Sequence, residues 1–155
     1  MPLSVPHPIW SSANSPFEVS KAVIVCRMLS GQYRTDLLAR HWSLDNPLGY
    51  CRLPGCQEEV GDLIHILLKC PALSASRLGM IKLWSNFMVS KPQLLPIIHH
   101  FTIEEPSLLP QFLLDPTCLP LVISTNQQYP ETLKHCLYLG QTWCFSAHLD
   151  RKRLL

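Results

Sequence analysis

The chain has 155 residues, 47% apolar and 15% charged, which suits one domain, or a small module with a helical tail, around a modest core. A net charge of +2 is far below that of a dedicated nucleic-acid domain. No apolar run approaches the ~20 residues that span a bilayer, and the opening MPLSVPHPIW lacks the basic and apolar regions of a secretory signal. The expectation is therefore an intracellular protein, nuclear or cytoplasmic and not secreted, with no membrane partner. Its seven cysteines would be reduced or bound to metal rather than paired in disulfides. Fourteen prolines, against a norm of roughly 5%, and the low charge content suggest a piece of something larger whose apolar faces meet neighbouring domains.

Residues 1–14 carry three prolines and several serines without periodicity and are expected to be a disordered leader. Order is predicted to begin at Ser15-Pro16-Phe17-Glu18, a capping box with proline at the first helical position. The helix then runs through VSKAVIVCRML, with Val19, Val23, Cys26 (or Ile24) and Arg27 marking its turns, and Gly31 closes it. A second helix fits 35–42, entered at Thr35, and Asn46-Pro47-Leu48-Gly49 is a turn. Asp62 opens a short helix, LIHILLKC, that Pro71 stops. Ser74 or Ser76 caps a further helix through Arg77, Met80, Ile81, Trp84 and Met88. Beyond residue 91, prolines limit the chain to short helical pieces such as 94–101 and 107–114, until a last long helix over 130–152 ends in Arg151-Lys152-Arg153. This gives three segments: the leader 1–14, a helical segment 15–90 holding a knuckle at 50–71, and a proline-rich helical tail 91–155. The fold class is mainly α, short helices around a small CCHC zinc-binding knot with a long C-terminal helix.

The chemistry is concentrated in CRLPGCQEEVGDLIHILLKCP. Cys51, Cys56, His65 and Cys70 have the spacing C-x4-C-x8-H-x4-C, a set of three thiolates and one imidazole that suits a closed tetrahedral zinc site. Pro54-Gly55 can turn the chain so that both sulfurs of the first pair face inward. His65 and Cys70 lie on, and just past, one short helix. A knot of some twenty residues cannot hold itself together, so one structural Zn2+ would supply folding free energy on the order of 10 kcal/mol. Glu58 and Glu59, between the ligand pairs, are expected to be solvent-exposed turn residues. The alternative is that the cysteines and histidine are ordinary core residues.

The strings RMLSGQYRTDLLARHW, YCRLPGCQEEVGDLIHILLKCPAL and SRLGMIKLW resemble the region after the polymerase in non-LTR (LINE-type) retrotransposon reverse transcriptases. There, a helical segment precedes a CCHC zinc knuckle with an H-x-L-x-x-C-P element, matched here by His65 to Pro71. The tail from FLLDPTCLPLVIS to the end also looks like the end of such reading frames, so the likeness covers roughly residues 17–155. It implies partners among RNA or DNA and the parent polymerase domains. The aspartate pair that such a polymerase needs is absent, as is an endonuclease, which implies a terminal fragment or a relic without enzyme activity. Arg34, Arg40, Arg52 and Lys69 would meet phosphates, and Tyr50, Trp42 or Tyr33 could stack on unpaired bases. Core packing is the competing role for these aromatics and the preferred one for Trp42. The function expected is non-catalytic contact with RNA or DNA, the alternative a structural or protein-interaction zinc module, and the third possibility a relic.

Elsewhere, Cys136, Cys144, His148 and His135 invite a second metal site, but a core cysteine and a surface histidine account for them more simply. Cys26 reads as core, Cys118 as inert, and His99-His100 as surface residues. No glycine loop or orienting acid accompanies any Cys/His pair, which argues against a hydrolase, and no small-molecule substrate is expected.

Overall fold

The computed structural model describes residues 10, 13–115 and 130–155. Apart from Trp10, Ala13 and Asn14, the expected leader lies outside the described residues, as does Cys118. Helix α1 spans Pro16–Leu29. The Ser15 hydroxyl accepts the Glu18 amide at 3.2 Å, one half of the expected capping box. The other half does not form, because Glu18 turns to the buried Lys21 ammonium at 2.9 Å. The helix ends as Gly31 enters the left-handed region at φ 72°. The Gln32 amide then reaches the Arg27 carbonyl and the Gly31 amide the Met28 carbonyl, the paired bonds of a Schellman cap.

The buried face of α1 is Lys21, Ala22, Ile24, Val25 and Met28. The stripe expected at Val19, Val23, Cys26 (or Ile24) and Arg27 is thus rotated: of these only Ile24 is buried, while Val19 and Arg27 are exposed and Val23 and Cys26 half-buried. Five consecutive small or apolar residues, Ala22 to Cys26, leave the period ambiguous. Packing against the C-terminal helix decides which face goes inward.

The second predicted helix splits into α2, Asp36–Ala39, and a tighter 3-10 turn, Arg40–Trp42. The Thr35 hydroxyl caps α2 by accepting the Leu38 amide at 3.0 Å. Trp42, expected in the core, is 72% exposed. The inner side of α2 is met by backbone instead of side chains. A side chain at Gly49 would collide with Leu37, and one at Gly61 with Asp36.

Helix α3, Ser74–Ser90, is entered through the 3-10 turn Pro71–Leu73. Neither Ser74 nor Ser76 acts as its cap, because Ser74 is already helical. Met80 and Trp84 are buried, Arg77 and Met88 half-buried, and Ile81 exposed. The predicted piece at 94–101 is α4, Leu95–His99, continued by a wide π-type turn, His100–Glu104. That at 107–114 is α5, Leu109–Leu114. The last helix, α6, spans Pro130–Leu154. It packs on α1, α3 and α5, and its Gly140 lies directly against the Leu113 carbonyl of α5. Phe112 stacks on Phe101 at 4.9 Å and tilts against Trp84 at 5.8 Å. The described residues form a mainly helical domain without a sheet; their one β-type pairing is the isolated antiparallel bridge Tyr50–Val60. No helix among them is long and apolar enough to cross a membrane.

Candidate metal centre

The knot between α2 and α3 is built from turns. Asn46 clamps its start, donating through Nδ2 to the Tyr50 carbonyl at 2.8 Å and accepting the Tyr50 amide through Oδ1 at 3.0 Å. The Cys51 amide donates to the Glu59 carbonyl at 2.7 Å and the Gly61 amide to the Gly49 carbonyl at 2.8 Å, which holds the two arms side by side. Between them Pro54 and Gly55 (φ 82°) turn the chain, and the Cys56 amide returns to the Leu53 carbonyl. Proline followed by a positive-φ glycine is the type II pattern, and it brings Cys56 back toward Cys51.

The second arm starts at Asp62, whose carboxylate accepts the His65 amide at 2.7 Å. Residues His65–Lys69 form a π-type turn closed by the Cys70 amide on the His65 carbonyl at 2.7 Å. Pro71 explains this geometry. A residue before proline avoids the α region, and Cys70 leaves the helix at φ −55°, ψ 119° just as its amide bonds five residues back. The same wide turn recurs at His100–Glu104, followed by Glu105 and Pro106. In a regular α-helix, positions five apart point about 140° away from each other. The wider turn brings His65 and Cys70 to one side.

One ligand atom from each of Cys51, Cys56, His65 and Cys70 lies within 4.8 Å of all the others, and the Cys56 and Cys70 sulfurs are 3.4 Å apart. A tetrahedron with bonds of about 2.0–2.3 Å has edges of about 3.3–3.8 Å, so the four side chains need only a small contraction to share one ion. Cys51, His65 and Cys70 are buried and Cys56 half-buried. Two further observations fit a metal. His65 Nε2 is buried with no hydrogen-bond partner, whereas its Nδ1 meets Glu59 Oε2 at 2.9 Å. A proton held on Nδ1 by the carboxylate leaves the Nε2 lone pair free for a cation, the usual support of a metal-bound imidazole. Without a cation, burial and the two neighbouring sulfurs push the Cys56 thiol up to about 12, and burial also raises Cys51. The cluster is thus capable of coordinating a metal ion.

Glu58 and Glu59 are both exposed, as expected, and Glu59 in addition meets the His65 ring. The available sequence signal was a carboxylate pair between the two ligand pairs, but nothing in the sequence distinguished Glu59 from Glu58. A second residue that sequence reasoning missed is Arg77, which donates to the Cys70 carbonyl at 2.9 Å.

The residues expected to meet nucleic acid are scattered. Arg34, Arg40, Arg52 and Lys69 are exposed and Tyr50 is half-buried. Arg34 and Arg52 share a shallow depression with Arg151, while Arg40 and Lys69 lie outside it. Arg52 is paired with Asp45 at 3.0 Å. Tyr33 is buried and hydrogen-bonds His148 Nδ1 at 3.0 Å, so it does not present a face to a base. Trp42 does, beside Leu38, Gly31, Gln32 and Arg34 in an open groove.

No second cluster of metal-ligand type forms among the described residues. Cys136 and Cys144 are buried, each thiol pushed up to about 12 by burial. His135 stacks on Phe87 with 4.3 Å between ring centres. His148 is half-buried, not a surface residue. His99 and His100 both turn to Glu104, at 3.4 and 2.8 Å. No family model, curated protein or solved structure matches this chain.

Proposed function

We propose that the chain is a structural zinc module, in which one Zn2+ held by Cys51, Cys56, His65 and Cys70 pins a knot of turns to a helical scaffold. The observation that carries this reading is the gathering of three sulfurs and a His65 ring nitrogen within 4.8 Å of one another, with His65 Nε2 buried and partnerless while Glu59 meets Nδ1. Three thiolates and an imidazole favour zinc over magnesium or calcium, which prefer oxygen ligands. Four protein ligands leave no open position for water or substrate, so the site is structural and non-catalytic. Metal analysis of the purified chain should give one zinc per chain. Cobalt substitution should produce the intense visible bands of a tetrahedral thiolate site, with a Cys56→Ser variant losing both. Full-strength zinc binding by that variant would reject the assignment.

A second reading is that this zinc module contacts RNA or DNA, as the resemblance to LINE-type reverse transcriptases implies. Its support is the exposure of Trp42 beside Arg34, with Arg40, Arg52 and Lys69 also at the surface. Single-stranded RNA or DNA should then bind with an affinity that falls as salt rises, and Trp42→Ala should weaken it about 5- to 150-fold, since base stacking is worth about 1–3 kcal/mol. Absence of binding at low salt would remove this reading and leave the first intact.

A further inference from the structure

We propose that metal occupancy of the knot controls the docking of α6, with Trp143 and Arg151 as the two contacts that couple them; this rests on the zinc-module reading. The first contact arises from Pro71. In a helical turn the Leu67 carbonyl would be bonded by the amide four residues on, but that residue is proline and has no N–H. Instead the buried indole of Trp143 donates Nε1–H to the Leu67 carbonyl at 3.1 Å. A buried carbonyl in the middle of the ligand-bearing turn thus has its hydrogen bond supplied from α6, 76 residues away.

The second contact is on α2 and the residues leading into it, one hydrogen bond away from the Cys51 arm. Arg151 Nη1 donates to the Arg34 carbonyl at 3.0 Å, and Nη2 lies 3.7 Å from Asp36 Oδ1. Asp36 Oδ2 in turn accepts the amide of Arg52, next to Cys51, at 3.4 Å. Helix α6 therefore holds both pieces of chain that carry ligands, and the ligand cluster ties those pieces together. Without that tie each arm keeps its buried side chains, Leu53 on one and Ile66 and Leu67 on the other, but the arms are joined to each other by little more than one isolated bridge and a few turn hydrogen bonds, too little backbone pairing to fix their relative position. The acceptor for Trp143 and the carboxylate for Arg151 then lose their places together. Coupling of this kind is reciprocal, so weakening the α6 contact must weaken metal retention by the same factor.

Hydrogen–deuterium exchange on the full chain, zinc-loaded and after treatment with a strong chelator, tests this without any variant. Chelation is expected to raise exchange in 50–71 and, in step, in 139–152. Trp143→Phe keeps an aromatic ring, smaller than the indole, and removes the donor. It should still bind one zinc, yet lose it at equilibrium to a several-fold lower concentration of a chromogenic chelator than wild type. Zinc that leaves while 139–152 stays protected, or identical zinc affinities of wild type and variant, would overturn the coupling and spare the zinc reading. A purified chain that takes up no zinc at all would overturn both.

Discussion

At the scale of single residues, the ligands were legible and their support was not. Cysteines and a histidine at these intervals around Pro54-Gly55 announce a cluster, because few other roles need three thiols within twenty residues. Glu59 carries no such mark, since its contact with His65 exists only once the Tyr50–Val60 bridge folds one arm over the other. Carboxylates that orient metal-bound histidines typically contribute about 10–100-fold to affinity. Glu59→Ala should therefore lose zinc to a competing chelator at about tenfold lower chelator concentration, with Glu59→Gln intermediate because its amide oxygen can still accept from Nδ1. Equal retention by all three proteins would remove Glu59 from the site. A different histidine governs a pH response. Burial first, then the positive charges of Lys152, Arg151 and Arg27, lower the pKa of His148 below its usual 6.5, while the Tyr33 hydroxyl lies on its Nδ1. A lowered histidine pKa means that the unfolded chain binds the proton more readily, so stability falls as pH drops through 6.5 toward the folded-state value. Denaturant unfolding at pH 7.5 and 5.5 should show a larger acid loss for wild type than for His148→Gln; identical losses would mean that His148 titrates as if free.

At the scale of elements, helix starts and stops marked by local chemistry were legible, and faces were not. Ser15, Thr35, Gly31 and Asp62 each make the backbone contact that their residue type suggests, because capping is a matter of three or four residues. Which side of α1 turns inward depends on α6, more than a hundred residues later, and the run Ala22 to Cys26 offers no polar residue to settle it. Trp42 failed for a related reason: an indole is expected inside, but the glycines that press on α2 bring backbone where a pocket was needed. The prolines were read as breakers, yet Pro71 and Pro106 also widen the turn before them. At Pro71 that widening is what aligns His65 with Cys70. Glycines on helices separate packing from propensity. A methyl at Gly140 would meet the Leu113 carbonyl, whereas one at Gly79 meets nothing within 4 Å. Gly140→Ala should force α5 and α6 apart and cost about 1–3 kcal/mol, as overpacked sites do. Gly79→Ala, in the exposed middle of α3, should stabilise by about 0.5–1 kcal/mol. Chemical denaturation of both variants measures this, and changes of the same sign would contradict the close α5–α6 contact.

At the scale of the whole molecule, one continuous core joins the knot to the helices. Cys51, Leu53, Ile66, Leu67 and Cys70 belong to the same buried cluster as Trp84, Phe101, Phe112 and Trp143. The knot supplies apolar side chains to that core but little backbone structure of its own, so an ion bound by the cluster and the core would each hold what the other needs. The stacked Phe101–Phe112 pair and Trp84, by contrast, lie among α3, the turn after α4, and α5. Removing the metal should accordingly leave much of the helix content in place while lowering the temperature at which the whole chain unfolds. The size follows from mass action. At free zinc about 1,000 times its dissociation constant, binding to the native state alone adds about 4 kcal/mol. For a domain near this length each kcal/mol moves the midpoint by about 2–4 °C, which gives a drop of about 8–16 °C on chelation. Circular dichroism of the zinc-loaded and chelated chains, recorded first as spectra and then as melts, checks both parts. A melt unmoved by metal removal would mean that the core holds the knot unaided, and an immediate loss of all helix at low temperature would mean that the helices have no stability apart from it.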